Sequence, residues 1–279
     1  MKAASFEYLR PASLAEALRV LAGAVGTAKV MGGSQSMGPM LNLRLTRPKL
    51  VVDVSALPEL RQVTKEAALI RIGAAVTHAE IEDGVHPLLR GGMLQAVAGG
   101  IAYRAIRNRG TVGGSLAHAD PAADWVLVMA ALGAQIEMAG ATGSRRVPMD
   151  RFMQGAYTTD LADGELIAAV HVPALSDSAR WGYHKFCRKT GEFAEASCAA
   201  VFDPARKLAR VVMGALDGAP QALPALAAHV ARTGSLPERA AIQAAVAGAT
   251  PTKDAVDRKL LVAAVERCLQ QVLIPETTQ

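Results

Sequence analysis

The chain has 279 residues, 51% hydrophobic, 20% charged and only 4% aromatic, with a formal net charge of +5. That length supports a sizeable core and two domains, and the core must be filled mainly by Ala, Val and Leu. Three widely spaced cysteines, Cys187, Cys198 and Cys268, exclude a disulfide framework and a four-cysteine metal or iron–sulphur site, while acidic residues interspersed among the basic ones leave no stripe for nucleic acid.

The opening decapeptide Met1–Arg10 carries acidic and basic residues where a signal peptide needs an apolar stretch. Pro11-Ala-Ser-Leu-Ala-Glu16 then starts a helix with a capping box, Ser13 reaching forward and Glu16 back, and Leu14, Leu18 and Leu21 share one face. Strands over Ala28–Met31 and Leu50–Asp53 flank a helical turn, a βαβ-like opening. Leu60 to Ile72 reads as a hairpin, Thr77-His-Ala-Glu80 as a second helix start, and Pro87 to Ala98 as a helix leading into a Gly- and Arg-rich loop, Gly99 to Ser115. A strongly apolar helix follows over Ala122–Leu132. The apolar run Trp125–Ala134 is too short to span a bilayer, so a membrane span is excluded and a reducing cytoplasm is expected.

Paired strands over Gln135–Met138 and Arg145–Val147 enclose the turn Gly140-Ala-Thr-Gly143, and a strand over Glu165–Val172 closes the first domain. Pro173-Ala-Leu-Ser-Asp-Ser178 has linker composition. Arg180–Lys185, Ser197–Phe202 and Leu208–Met213 alternate as three antiparallel strands. An alanine-rich remainder from Gln221 to Val272 holds two or three helices.

Chemistry concentrates in two glycine loops. Gly32-Gly-Ser-Gln-Ser36 directly follows a strand; it is either a tight strand-to-helix turn or a concave anion site in which successive N–H groups and the Ser34 and Ser36 hydroxyls meet a phosphate. Asn108-Arg-Gly-Thr-Val-Gly-Gly-Ser115 repeats the composition, and together the loops suit the two phosphates of a dinucleotide. Neither matches G-x-G-x-x-G or the P-loop. Both miss the G-x-S-x-G nucleophile elbow at its last position, where Ser36 and Ala117 stand. His118, Asp120 and Asp124 form a weak metal set, and Asp120 before Pro121 is equally an N-cap. In the C-terminal part, Trp181, Tyr183 and Lys185 share a strand face, a mixture suited to a planar ligand, whereas Cys187 and Cys198 read as packing residues.

Together these residues resemble the FAD-binding medium subunit of the molybdenum hydroxylases, the family of xanthine dehydrogenase and aerobic carbon monoxide dehydrogenase. The resemblance is carried most specifically by Ile106-Arg-Asn-Arg-Gly-Thr-Val-Gly-Gly-Ser-Leu-Ala-His-Ala-Asp-Pro-Ala-Ala-Asp124. Met31-Gly-Gly-Ser-Gln-Ser36, Phe6-Glu-Tyr-Leu-Arg-Pro11, Lys185 and Thr190-Gly-Glu-Phe193 support it. It implies an α+β chain: a two-part α/β FAD-binding domain of the vanillyl-alcohol-oxidase (PCMH) type over residues 1–175, then a domain of three-stranded antiparallel sheet plus helices over residues 176–279. By the same resemblance Lys29, Val30, Met31, Gly32, Gly33, Ser34, Gln35 and Ser36, with Thr111, Val112, Gly113, Gly114 and Ser115, hold the FAD pyrophosphate and its sugars. Ile101 lines the pocket, Asp124 accepts from FAD hydroxyls, Ile167 packs on the flavin side, Lys185 approaches the ring system and Phe193 is a neighbouring aromatic.

Two departures stand out: Ser115 replaces the family's frequent Asn, and Arg104-Ala105 replaces its Pro-Gln. The resemblance implies an electron-transfer subunit with no catalytic acid–base or nucleophilic residue and no metal of its own. A large partner would carry the molybdenum cofactor and a small partner 2Fe-2S clusters, as a dimer of heterotrimers, with FAD passing electrons to NAD+, a quinone, oxygen or another acceptor. No His or Cys lies in the glycine loops to tether the cofactor, so the FAD is expected to be non-covalent. The rival expectation is a free-standing FAD-dependent oxidase or reductase.

Overall fold

The computed structural model describes residues 2–274; Met1 and the last five positions of the expected C-terminal domain lie outside the described residues. The chain opens with β1 (Glu7–Leu9), α1 (Leu14–Gly23), β2 (Ala28–Met31), α2 (Met37–Asn42) and β3 (Leu50–Asp53). The three strands form a parallel sheet in the order β1-β3-β2, with β1 an addition to the expected pair. Ser13 caps α1 by accepting from the Glu16 N–H, but the Glu16 carboxylate reaches back to the Ala12 N–H, one residue beyond a reciprocal box.

A five-stranded antiparallel sheet follows, ordered β4-β5-β10-β6-β7, from β4 (Val63–Glu66), β5 (Leu69–Gly73), β6 (Gln135–Gly140), β7 (Gly143–Pro148) and β10 (Leu166–Pro173); β8 (Met153–Gly155) and β9 (Thr158–Thr159) form a separate hairpin. Between β5 and β6 lie α3 (His78–Glu82), α4 (Met93–Gly99), α5 (Arg104–Arg107), α6 (Val112–His118) and α7 (Asp124–Leu132), with α8 (Met149–Phe152) after β7. The Thr77/Glu80 capping box is complete. The helix expected over Pro87–Ala98 is broken: a 3-10 turn at Pro87–Leu89 is separated from α4 by Gly91 at φ +68°, a conformation that ends a helix. The expected Gly- and Arg-rich loop is half helical, because Thr111 caps α6 and places Gly113 and Gly114 in its first turn.

The helix expected from Ala122 begins at Asp124, with Ala123 as its N-cap. Asp120 is therefore not the helix cap. Its carboxylate accepts from the Ala122 N–H at 2.9 Å, making a turn upstream. Helix α7 is apolar all round because it is covered on two sides. Its buried residues share one core with Val170 and Val172 of β10 and with Ala199, Val201 and Val212 of the C-terminal sheet.

That sheet comprises β11 (Arg180–Phe186), β12 (Ala196–Asp203), β13 (Leu208–Gly214) and the two-residue β14 (Gln221–Ala222), so the expected three strands gain a short fourth. Its opposite face, through Cys198, Ala200, Phe202, Val211 and Met213, packs on α9 (Pro224–Thr233), α10 (Arg239–Ala249) and α11 (Ala255–Leu273). Strand β12 is buried throughout, the period-2 consequence of helices on both faces. Gly182 admits this packing: a Cβ there would stand 2.3 Å from the Cys268 carbonyl oxygen of α11. Among the described residues no helix is long and apolar enough to cross a membrane.

Candidate functional site

Strand β2 ends at Met31, and the chain turns through Gly32–Ser36 into α2. Ser34 sits at φ +66°, and a left-handed residue inside such a turn directs successive N–H groups into one concavity. The N–H groups of Gly33, Ser34, Gln35 and Ser36 have no acceptor among the described residues. This turn can therefore cradle an anion.

The second glycine loop is built differently. Val112 N–H donates to the Val76 carbonyl at 3.0 Å, Gly113 N–H to the Ala74 carbonyl at 2.9 Å, and Ser115 N–H to the Thr111 carbonyl at 3.0 Å. Gly114 N–H donates to the Thr111 hydroxyl, also at 3.0 Å. With these donors engaged inside the protein, Ser115 offers a ligand its hydroxyl.

The glycines instead permit close packing. A Cβ on Gly33 would fall 1.6 Å from the Arg109 carbonyl oxygen, one on Gly32 would fall 2.8 Å from Thr111 Oγ1, and one on Gly113 would fall 2.4 Å from Ala74 Cβ. Real Cβ atoms do not approach so closely, so the two loops touch only because Gly32 and Gly33 lack side chains, and Gly113 likewise lets the second loop pack on Ala74.

The loops form part of a cleft of about 680 Å³, within the size range of small-molecule and cofactor sites. Of the expected residues, Lys29, Val30, the Gly32–Ser36 turn, Ile101, Thr111, Gly113–Ser115, Asp124, Ile167 and Phe193 line it. Met31, Val112 and Lys185 do not; Val112 is fully buried in the core. The Lys185 ammonium stands 2.7 Å from Asp124 Oδ1 and 2.9 Å from the Gly100 carbonyl oxygen. Tyr183 Oη donates to the same Asp124 oxygen at 2.5 Å, and burial, with the adjacent carboxylate, pushes this phenol well above its usual pKa.

Another wall is held by Arg107. Its guanidinium donates to both Glu82 oxygens at 2.7 and 2.9 Å and to the carbonyls of Ile101 and Ala102 at 2.9 and 3.0 Å, which fixes the segment carrying Ile101. The Arg107 hydrogen bond holds the Glu82 carboxyl below its ordinary pKa. Arg104, one of the two departures, is tied to Asp83 at 2.6 and 2.7 Å and to Glu82 at 2.9 Å, so ion pairs stabilise the turn where the family often has proline.

Among the cleft residues that sequence reasoning missed are His78, Tyr157 and the segment Leu161–Leu166. His78 is hidden as the first residue of a capped helix, and Tyr157 lies in a hairpin turn at φ +56°. No motif marks the Leu161–Leu166 segment. Tyr157 Oη donates to Asp120 at 3.3 Å, and its ring stands 5.2 Å from that of His118. His118 and Asp120 thus both meet Tyr157 while Asp124 is engaged by Tyr183 and Lys185, and no group of three or more metal-ligating side chains occurs among the described residues.

The family profile described as "FAD binding domain in molybdopterin dehydrogenase" matches residues 4–175. The chain belongs to the FAD-binding medium subunits of the molybdenum hydroxylase family. This flavin subunit is 36% identical to the 6-hydroxypseudooxynicotine dehydrogenase complex subunit alpha of Paenarthrobacter nicotinovorans, over 80% of the present chain and 76% of that one. It is also 36% identical to the carbon monoxide dehydrogenase medium chain of Hydrogenophaga pseudoflava, over 70% and 68%. Solved structures agree in fold: quinoline 2-oxidoreductase from Pseudomonas putida 86 has a TM-score of 0.85 at 31% identity, covering 98% of both chains. A carbon monoxide dehydrogenase from Hydrogenophaga pseudoflava reaches 0.88 at 30% identity, again over 98% of both. The flavin subunit is an electron-transfer component of an oxidoreductase. Its anion-directed turn and cofactor-sized cleft fit FAD.

Proposed function

We propose that this chain binds FAD non-covalently in the cleft and acts as the medium subunit of a three-part enzyme. A small partner would bear 2Fe-2S clusters and a large one the molybdenum cofactor, assembled as a dimer of heterotrimers. The observation that carries the reading is the Gly33–Ser36 turn, whose free N–H groups suit the anionic pyrophosphate. When bound, FAD supplies the centre that takes up and releases electrons.

The protein's part is binding and orientation. Ser115 donates its hydroxyl, Ile101 and Ile167 supply apolar wall, and Asp124 presents its carboxylate to ligand hydroxyls with Tyr183 and Lys185 holding it in place. Phe193, exposed at the mouth, flanks the flavin end. Met31 and Val112 support the two loops from behind, and Lys185 acts through Asp124 and Gly100. A domain boundary at residue 175, just past the end of β10, belongs to the same proposal. Free Cys187, Cys198 and Cys268 support a cytoplasmic location.

Purification from the native source tests this. The expected result is a yellow protein that co-purifies with a large and an iron–sulphur chain and leaves a colourless pellet on acid precipitation. A yellow pellet would refute non-covalent attachment, and a flavin-loaded chain purified alone would refute the three-part assembly.

A further inference from the structure

His78 is buried, at 5% exposure, at the start of α3. Its Nδ1 stands 2.9 Å from Trp125 Nε1. An indole N–H can only donate, so Nδ1 must accept and the ring proton resides on Nε2. Burial and the nearby Arg107 lower the His78 pKa to about 4, which keeps the ring neutral and this tautomer in place at neutral pH.

The Nε2–H has no acceptor among the described residues. The imidazole nitrogens sealed without a partner belong to His86, His171 and His184, whereas His78 helps to line the cleft and its Nε2 opens there. Its neighbours link it to the anion-directed turn. A Cβ on Gly110 would stand 2.8 Å from His78 Nε2, and a Cβ on Gly33 would stand 2.8 Å from the Gly110 nitrogen. The backbones also join, with His78 N–H donating to the Gly110 carbonyl at 2.9 Å. A ring locked in this orientation by Trp125, with only a glycine at position 110 beside its Nε2, presents that N–H to the cleft and is set to meet an acceptor there.

We propose that His78 is a further cofactor-binding residue, an uncharged donor whose Nε2–H bonds a pyrophosphate oxygen of FAD. The inference rests on the reading of the cleft as the FAD site. It differs from the usual cationic recognition of phosphate: the donor is presented without a buried charge that must be desolvated.

The test uses the full chain labelled with 15N-histidine and freed of flavin. Titrating FAD and then ADP, which carries the pyrophosphate without the flavin, should shift the Nε2–H resonance downfield, and riboflavin should leave it unmoved. His78→Phe should weaken FAD binding by about tenfold to a hundredfold, while His78→Gln, which restores an N–H donor, should recover most of the loss. An equal shift with riboflavin, or wild-type FAD affinity in the correctly folded His78→Phe chain, would overturn the inference. Failure of the wild-type chain to bind FAD at all would instead overturn the reading of the cleft.

Discussion

The seam between α7 and the C-terminal sheet can be tested through Asp124. Its carboxylate accepts from Lys185 at 2.7 Å and from Tyr183 at 2.5 Å, and the Lys185 and Asp124 side chains are only 13% and 10% exposed. Replacing Asp124 with Leu leaves a buried ammonium with the Gly100 carbonyl alone and a buried phenol with no acceptor. Removing one partner of a buried pair costs roughly 3–5 kcal/mol, and the reverse change, Lys185→Met, leaves the carboxylate with the neutral Tyr183 hydroxyl as its donor and no counter-charge. The double variant removes both charges and should recover the ion-pair part of the loss, leaving the Tyr183 hydroxyl without its acceptor as the remaining cost. Urea unfolding of the flavin-free chain followed by circular dichroism would give all four stabilities. Each single variant should lose about 3 kcal/mol or more, and the double should be far more stable than the sum predicts. Single losses that simply add, within about 0.5 kcal/mol, would refute the pairing as the element that fastens the seam.

Acid should weaken the fold through His78. Its folded pKa of about 4 lies below the ordinary 6.5, so the stability it confers is full above pH 6.5 and is lost as pH falls toward 4. The slope is about 1.4 kcal/mol per pH unit. His78→Gln should lack this slope, and parallel urea midpoints for the two chains between pH 7 and pH 5 would contradict it. Gly33→Ala places a Cβ 1.6 Å from the Arg109 carbonyl oxygen and should drive the loops apart, abolishing flavin retention and destabilising by more than about 2 kcal/mol; a yellow, wild-type-stable variant would show that the contact is dispensable. Gly248→Ala, inside α10 with nothing within 4 Å of the added carbon, should stabilise by about 0.5–1 kcal/mol as read by thermal midpoint.

The parts legible in the sequence are those decided locally. Alternation over Arg180–Lys185 and the Thr77-x-x-Glu80 helix start needed no tertiary information, and both elements form, the strand reaching Phe186. Boundaries set by tertiary contacts were harder to read. Helix α7 starts at Asp124 rather than Ala122, because Asp120 and Pro121 form a turn and the Asp124 carboxylate faces β11. The break before α4 depends on Gly91 adopting a left-handed conformation, which the flanking apolar run conceals. At the site, composition found both glycine loops but treated them alike. Only the hydrogen-bond partners separate one with free N–H groups from one whose donors go to Val76, Ala74 and Thr111. Lys185 was legible as a residue that matters, yet its contact with Asp124 requires two strands and a helix to be in register.

That contact gives α7 a role beyond filling the core. Its first two residues point to opposite structural partners: Asp124 receives hydrogen bonds from β11 of the C-terminal sheet, and Trp125 donates to His78 at the start of α3. The helix is otherwise apolar on every side, so these two residues supply its side-chain hydrogen bonds, and at its far end the Leu132 carbonyl accepts from Arg210. Both contacts border the cleft, since Asp124 and His78 line it. A shift of α7 along its axis would therefore move the carboxylate and release the imidazole together. The cost of breaking either contact opposes that shift, so the helix that joins the two halves of the molecule also holds two walls of the cofactor cleft in register.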